Sequence, residues 1–202
     1  MKKLLILLFL LSPCLAEVPA YQQIISGKQV GPVTINSTRA DIAAIVGTAY
    51  MEEGEVYLGE GMTSPATVVY PGHPNRTLKV VWKPGPKETA TPESVWIVGD
   101  ESEWKTPSGI SLGTGLQELQ KLNGVPFAFL GFEWDLGGGV NSWGGDLEDE
   151  MRDIHVRLKL PENAYQVDEE MLNQVIGDRE VSSSHPVFQK VNPVIDRIVV
   201  TF

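Results

Sequence analysis

Two thirteen-residue stretches, offset by 77 residues, constrain this chain more than any other feature of it. Ile35-Asn-Ser-Thr-Arg-Ala-Asp-Ile-Ala-Ala-Ile-Val-Gly47 aligns without gaps on Leu112-Gly-Thr-Gly-Leu-Gln-Glu-Leu-Gln-Lys-Leu-Asn-Gly124. Asp41 falls on Glu118, Ile42 on Leu119 and Ile45 on Leu122, and Gly31 and Gly109 stand at nearly the same distance upstream. Self-similarity at a fixed offset is the mark of a repeated structural unit. Each copy reads as one short helix. In the first, Thr38 and Asp41 form a capping box and Ile42, Ile45 and Val46 the buried stripe. In the second, Thr114 and Gln117 supply the box, and Leu116, Leu119 and Leu122 recur at helical spacing. Gly47 and Gly124 lie where a helix needs a left-handed stop. Helices this short are marginal alone, so tertiary packing must hold them.

Strand-like runs follow each helix, separated by Gly- and Pro-rich punctuation such as Pro71-Gly-His-Pro-Asn75 and Lys83-Pro-Gly-Pro-Lys87. They cover 56–58, 67–70, 78–82 and 95–98 after the first, and 127–130, 140–143, 154–160 and 198–202 after the second. Over 154–160 the alternation is clean, with His155, Arg157 and Lys159 on a wet face, as in an antiparallel strand with one face to solvent. A third helix is predicted over 168–176, with Asp168 as N-cap, Met171, Leu172, Val175 and Ile176 as its stripe, and Gly177 as its stop. The pattern is α+β, with two related halves that each carry a short helix and a small antiparallel sheet. The halves span 17–103 and 104–202, the second with the extra helix.

Residues 1–16 have the layout of a cleavable export signal. Lys2 and Lys3 precede an apolar run over 4–11, and Cys14-Leu15-Ala16 offers a small-residue cut before Glu17. The run falls well short of the roughly 20 residues that span a bilayer, and no later stretch is longer, so no transmembrane span is expected. The Lys-Lys start is that of a bacterial signal and places the protein in the periplasm or outside the cell. Leu11-Ser12-Pro13-Cys14 is similar to a bacterial lipobox, with Pro13 where a small flexible residue is usual. A lipid anchor at Cys14 is the alternative processing. Cys14 is the one cysteine of the chain, so the part beyond the cut has no thiol for disulfides, nucleophilic catalysis or Cys-based zinc sites.

Cleavage leaves 186 residues, enough for one large or two small domains. It also leaves 14 Lys and Arg against 26 Asp and Glu. That balance disfavours nucleic acid and anionic lipid as partners. Solubility accounts for it, while cationic partners or calcium remain compatible with it.

The stretch Gly109-Ile-Ser-Leu-Gly-Thr-Gly-Leu-Gln-Glu-Leu-Gln-Lys-Leu-Asn-Gly-Val-Pro-Phe127, continued by Gly131-Phe-Glu-Trp-Asp135, resembles a family of exported bacterial proteins with no assigned function. Each repeat is also similar to the start of BamE/SmpA-type modules: a small apolar residue, Gly, Thr, two residues, an acid, Leu, three residues and Gly. It is similar as well to the tandem modules of β-lactamase inhibitory proteins. The first copy departs from the pattern at Asn36. The resemblance implies short helices against a small sheet and binding of other proteins. Fold analogy alone does not carry function.

The stretch GFEWDLGGGVNSWGG, residues 131–145, has no equally Gly- and Trp-rich counterpart after the first helix. Its aromatics Phe132, Trp134 and Trp143, with Asn141 and with Trp104 at a second turn, are the candidate binding residues, because aromatics rimmed by acids mark interfaces and sugar sites. A turn whose aromatics cap the core is the competing reading; Trp82 and Trp96, within strands, most simply fill the core. On a strand, Glu133 and Asp135 would share a face at a separation suited to a retaining glycosidase. Asp135, Asn141 and Asp146 offer oxygens to a calcium ion, without EF-hand spacing. Ser182, Ser183 and Ser184 beside His185 read as a polar loop. No His-Glu-x-x-His, Gly-x-Ser-x-Gly or phosphate-cradling loop is present, and no cofactor is implied. The expectation is an exported binding module with a protein partner in the envelope. The alternatives are a glycan hydrolase using Glu133 and Asp135 and a calcium-dependent module.

Overall fold

The computed structural model describes residues 22–202; the expected export signal and Cys14 lie outside them. The fold is α+β. A small meander of β1 (Ile24–Ile25), β2 (Gln29–Val30) and β3 (Val33–Thr34) leads into α1 (Arg39–Val46). Next come β4 (Met51–Gly59), β5 (Met62–Val69), β6 (Leu78–Trp82) and β7 (Pro92–Val98), a run of antiparallel hairpins. After α2 (Leu116–Asn123), the chain forms β8 (Ala128–Leu130), β9 (Val140–Ser142) and β10 (Ile154–Lys159). It then passes through α3 (Ala164–Leu172), β11 (Glu180–Ser182) and α4 (Phe188–Val191) to β12 (Val194–Thr201). Among the described residues no helix is long and apolar enough to cross a membrane.

Strands from both expected halves share one sheet, in the order β10-β12-β7-β6-β5-β4. Strand β12 bridges the two parts, pairing with β7 on one side and β10 on the other. A second sheet, β11-β8-β9, stands beside it. The division after residue 103 therefore does not separate two sheets, nor two cores. Ile24, Ile42, Leu78 and Ile97 belong to the same buried cluster as Leu116, Phe129, Phe188 and Ile198. The physical reason is pairing: Val95 to Val98 need a partner for their second edge, and the apolar run at 194–201 supplies it.

Local signals fare unevenly. Thr38 caps α1 as its spacing predicts, with the Asp41 N–H donating to its Oγ1 (3.2 Å) and its own N–H donating to Asp41 Oδ2 (2.8 Å). Of the predicted stripe, Ile42 is buried, Val46 packs at the core's edge, and Ile45 faces solvent. The second box does not form. Thr114 Oγ1 accepts from the Ser111 N–H instead, and Asn192 Oδ1 accepts the Gln117 N–H (3.0 Å) from 75 residues away. The third helix starts earlier than predicted and kinks at Asp168, whose Oδ1 accepts the Met171 N–H (3.0 Å) and so caps the continuation.

Thr38→Ala is expected to cost about 1 kcal/mol at neutral pH. The Thr38 N–H first, and its hydroxyl second, hold the Asp41 pKa below its ordinary value. A carboxylate whose pKa is lowered by folding stabilises fully above its unfolded pKa, and that contribution is lost as pH falls through the folded value. Melting curves should therefore show the Thr38→Ala deficit shrinking in acid. A deficit that stays constant from neutral to acid pH would show that the Thr38 hydroxyl does not donate to the Asp41 carboxylate.

Candidate functional site

Residues 131–139 form the connection between β8 and β9, so Glu133 and Asp135 lie on a loop and not on a strand. That loop is tied down along its length. The Gly131 N–H donates to Arg179 O (2.8 Å), the Phe132 N–H to Val175 O (2.9 Å) and the Gly138 N–H to Leu130 O (2.8 Å). Gly138, at φ +78, also accepts from the Leu158 N–H (2.8 Å) at the edge of β10. A Cβ there would collide with the Leu158 carbonyl oxygen and stand 3.0 Å from its carbon. Glycine is thus required for close backbone approach.

This packing fits the turn whose aromatics cap the core, and corrects the candidate exposed surface at Phe132 and Trp143. Phe132 and Trp143 are buried. Phe132 packs on Phe129 and Phe188 (centroids 5.5 and 6.2 Å) and Trp143 on Phe127 (4.9 Å). Both fill the space between the β11-β8-β9 sheet and its helices, because glycine neighbours let the backbone turn their rings inward. Buried Asn123, unremarked in the sequence, fixes that turn, donating from Nδ2 to Val125 O and Trp143 O and accepting the Leu147 N–H. Trp134 is half-buried, its Nε1 donating to Gly131 O (2.8 Å). Asn141 is exposed and donates to Glu180 Oε2 (2.8 Å).

The paired-carboxylate geometry is not assembled. Glu133, at φ +67, lines a cleft of about 290 Å³ with Phe132, Arg157, Leu160 and Asp196. Asp135 lines another, with Leu58, Leu136, His155 and Arg197. Glu133 also accepts the Tyr165 phenol, whose pKa is pushed up to about 12, first by desolvation and then by that carboxylate. The oxygens proposed for calcium are separated as well. Asp135 sits beside Gly59, Asn141 is turned to Glu180 and Asp146 borders Gly124. No group of three or more His, Cys, Asp or Glu converges among the described residues. Near His185, Ser182 pairs with Ser184 (2.8 Å), buried Ser183 accepts the Phe127 N–H, and His185 Nδ1 accepts the Val187 N–H. Among the described residues no serine hydroxyl engages the imidazole.

The aromatic concavity lies elsewhere. Gln29, Pro32, Ile45, Tyr70, Arg76 and Trp104 line a groove of about 340 Å³ between the β1–β3 meander, the end of α1 and the turn after β5. Trp104 is 1 % exposed and forms its floor, with Nε1 donating to Arg76 O (3.1 Å). Above it Tyr70 stacks at 6.5 Å and 25°, and Tyr50 follows at 6.1 Å. The Arg76 guanidinium lies 4.5 Å from the centre of the Tyr70 ring, its charge met by Glu103 (2.6 Å). Trp104, expected as an exposed aromatic at a turn, is instead the buried base of this groove. Ile45, Tyr50, Tyr70 and Arg76 were missed. Tyr70 precedes Pro71, which favours extended backbone, yet it stands at φ +55.

The chain matches no protein-family model, no curated protein and no solved structure. The likeness to BamE/SmpA-type and β-lactamase-inhibitory modules accordingly rests on the residues quoted for it.

Proposed function

We propose that this chain is an exported binding module of the bacterial envelope that holds a protein partner in the groove over Trp104. One observation carries the reading. Ile45, 67 % exposed, lines an aromatic groove whose wall residue Tyr70 is held at φ +55, and Tyr50, 57 % exposed, packs beside that Tyr70 ring. Large apolar side chains left in water beside a concave aromatic surface are a feature of interfaces, and Tyr, Trp and Arg are the residues enriched there. Positive φ at a bulky residue is costly backbone strain, of the kind found at ligand-binding sites. Arg76 and Glu103 add a polar rim. A glycosidase would need Glu133 and Asp135 in a common cleft, and they line two.

The test is retention of an envelope protein from extract by immobilised protein and by the Ile45→Asp and Tyr70→Ala variants. Retention should fall at least about ten-fold in each, the loss of one well-packed anchor. The melting temperature of Ile45→Asp should stay close to that of the parent, since Ile45 is already in solvent. Trp134→Ala should retain the partner normally. Equal retention by both groove variants would show that recognition uses another surface.

A further inference from the structure

The six-stranded sheet has two faces. Its alternation sends Val95, Ile97, Ile198 and Val200 into the main core. The opposite face carries Trp96, Val98, Arg197 and Val199, with His155 and Arg157 next to them on β10. Val56, Ala66, Val81 and Trp96 form a separate small apolar cluster there. The β4–β5 hairpin bends over this face, with a bulge near Tyr57. Its tip approaches the loop that follows β8, where a Cβ on Gly59 would lie 3.7 Å from that of Asp135. Beneath the tip is a cleft of about 160 Å³, bordered by Leu58, Leu136, Val199, Asp135, Arg157 and Arg197.

The two arginines in that cleft are unequal. They stand directly opposite each other across β10 and β12, an arrangement that like charges disfavour. Arg157 is neutralised by a two-pronged pair with Asp196, Nε to Oδ1 at 2.9 Å and Nη2 to Oδ2 at 2.6 Å. Arg197 has no such partner among the described residues. Its Nε is buried without an acceptor, and its guanidinium rests 5.3 Å from the centre of the Trp96 ring. Burial first, and Arg157 second, lower its pKa, while the nearby Asp196 charge works the other way. Acids outnumber bases 26 to 16 in this chain, so a cation left without one here is not explained by composition.

We infer that the cleft under the hairpin tip binds a small carboxylate with an apolar tail, the carboxylate on Arg197 and the tail between Leu58 and Leu136. A planar guanidinium with free donors matches a carboxylate edge to edge. Leu58 and Leu136, 44 % and 56 % exposed, provide apolar walls that such a tail would cover. At about 30 Å³ per water-sized group, the space of about 160 Å³ holds the headgroup and the first carbons of a chain, whose end then runs out along exposed Leu58 and Leu136. Asp135 on the rim pairs with neither arginine in this structure and acts as a competing anion. This site is separate from the groove over Trp104 and stands or falls independently of it.

The experiment titrates the protein with hexanoate, acetate and hexanol by calorimetry, in parent, Arg197→Gln and Asp135→Asn forms. Hexanoate should bind the parent, acetate at least about ten-fold more weakly, and hexanol not measurably. Arg197→Gln should lose at least about ten-fold in hexanoate affinity while melting close to the parent, because it removes a partly buried cation that has no ion pair and faces Arg157. Asp135→Asn should bind more tightly. Absence of hexanoate binding to the parent overturns the proposal. So does undiminished binding by a folded Arg197→Gln. Acetate binding as tightly as hexanoate refutes the apolar tail. If Arg197→Gln instead melts well below the parent and hexanoate does not raise the parent's melting temperature, Arg197 is a structural cation and the site is rejected.

Discussion

Gly138→Ala should destabilise the protein by at least about 3 kcal/mol, lowering its melting temperature by roughly 6–12 °C for a chain of this size. Two penalties add. Alanine at φ +78 loses the left-handed freedom of glycine, and its Cβ would displace the Leu158 carbonyl against which Gly138 is packed. Moving Leu158 also disturbs its own hydrogen bond to Gly138 and the pairing of β10 with β12. Gly144, in the same Gly-rich stretch at φ +61, has nothing within 4 Å of a built Cβ. Gly144→Ala should therefore show the conformational penalty alone, about 1–2 kcal/mol. Thermal or denaturant melts of the two variants compare them directly. Equal losses would mean that close packing at Gly138 contributes nothing.

The second large effect is expected at Phe129. Its ring is fully buried and lies 6.1 Å from Phe127, 5.5 Å from Phe132 and 5.4 Å from Phe188. Phe129→Ala should cost about 3–5 kcal/mol, through lost apolar burial and a cavity its aromatic neighbours cannot close. It should also loosen β8, which carries Phe129 between β11 and β9. Hydrogen exchange should then speed up at Leu130 and Gly131 before the six-stranded sheet is affected. Uniform acceleration throughout the described residues would show that the smaller sheet does not open on its own.

Features whose cause is local were legible in the sequence. The Thr38–Asp41 box needs residues three apart, and the alternation over β10 needs only a sheet with one face in the core. Both are present. Features set by distant partners were not. Asn192 caps α2 where Thr114 was expected to, and β12 pairs with β7 across the supposed boundary. Neither contact leaves a periodic trace. The Gly-rich stretch identified itself as an unusual turn, but not which way its rings point. Phe132 is inside where the loop is anchored to residues 175–179, and Trp143 where Asn123 holds its carbonyl. The groove over Trp104 escaped notice because Ile45 falls on the predicted buried stripe of α1, while the meander leaves that flank uncovered.

The placement of β12 has a further consequence in time. Because residues 194–201 lie between β7 and β10, neither of those strands can complete its hydrogen bonding until that segment is available. An emerging polypeptide can close the β4–β7 hairpins early, but β7 keeps a bare edge and β10 has no neighbour in that sheet. Non-local closure of this kind is slow to nucleate, and a bare edge invites pairing with other chains. For a chain proposed to be threaded across a membrane, the same delay is useful: the main sheet cannot lock while its final strand is still on the other side.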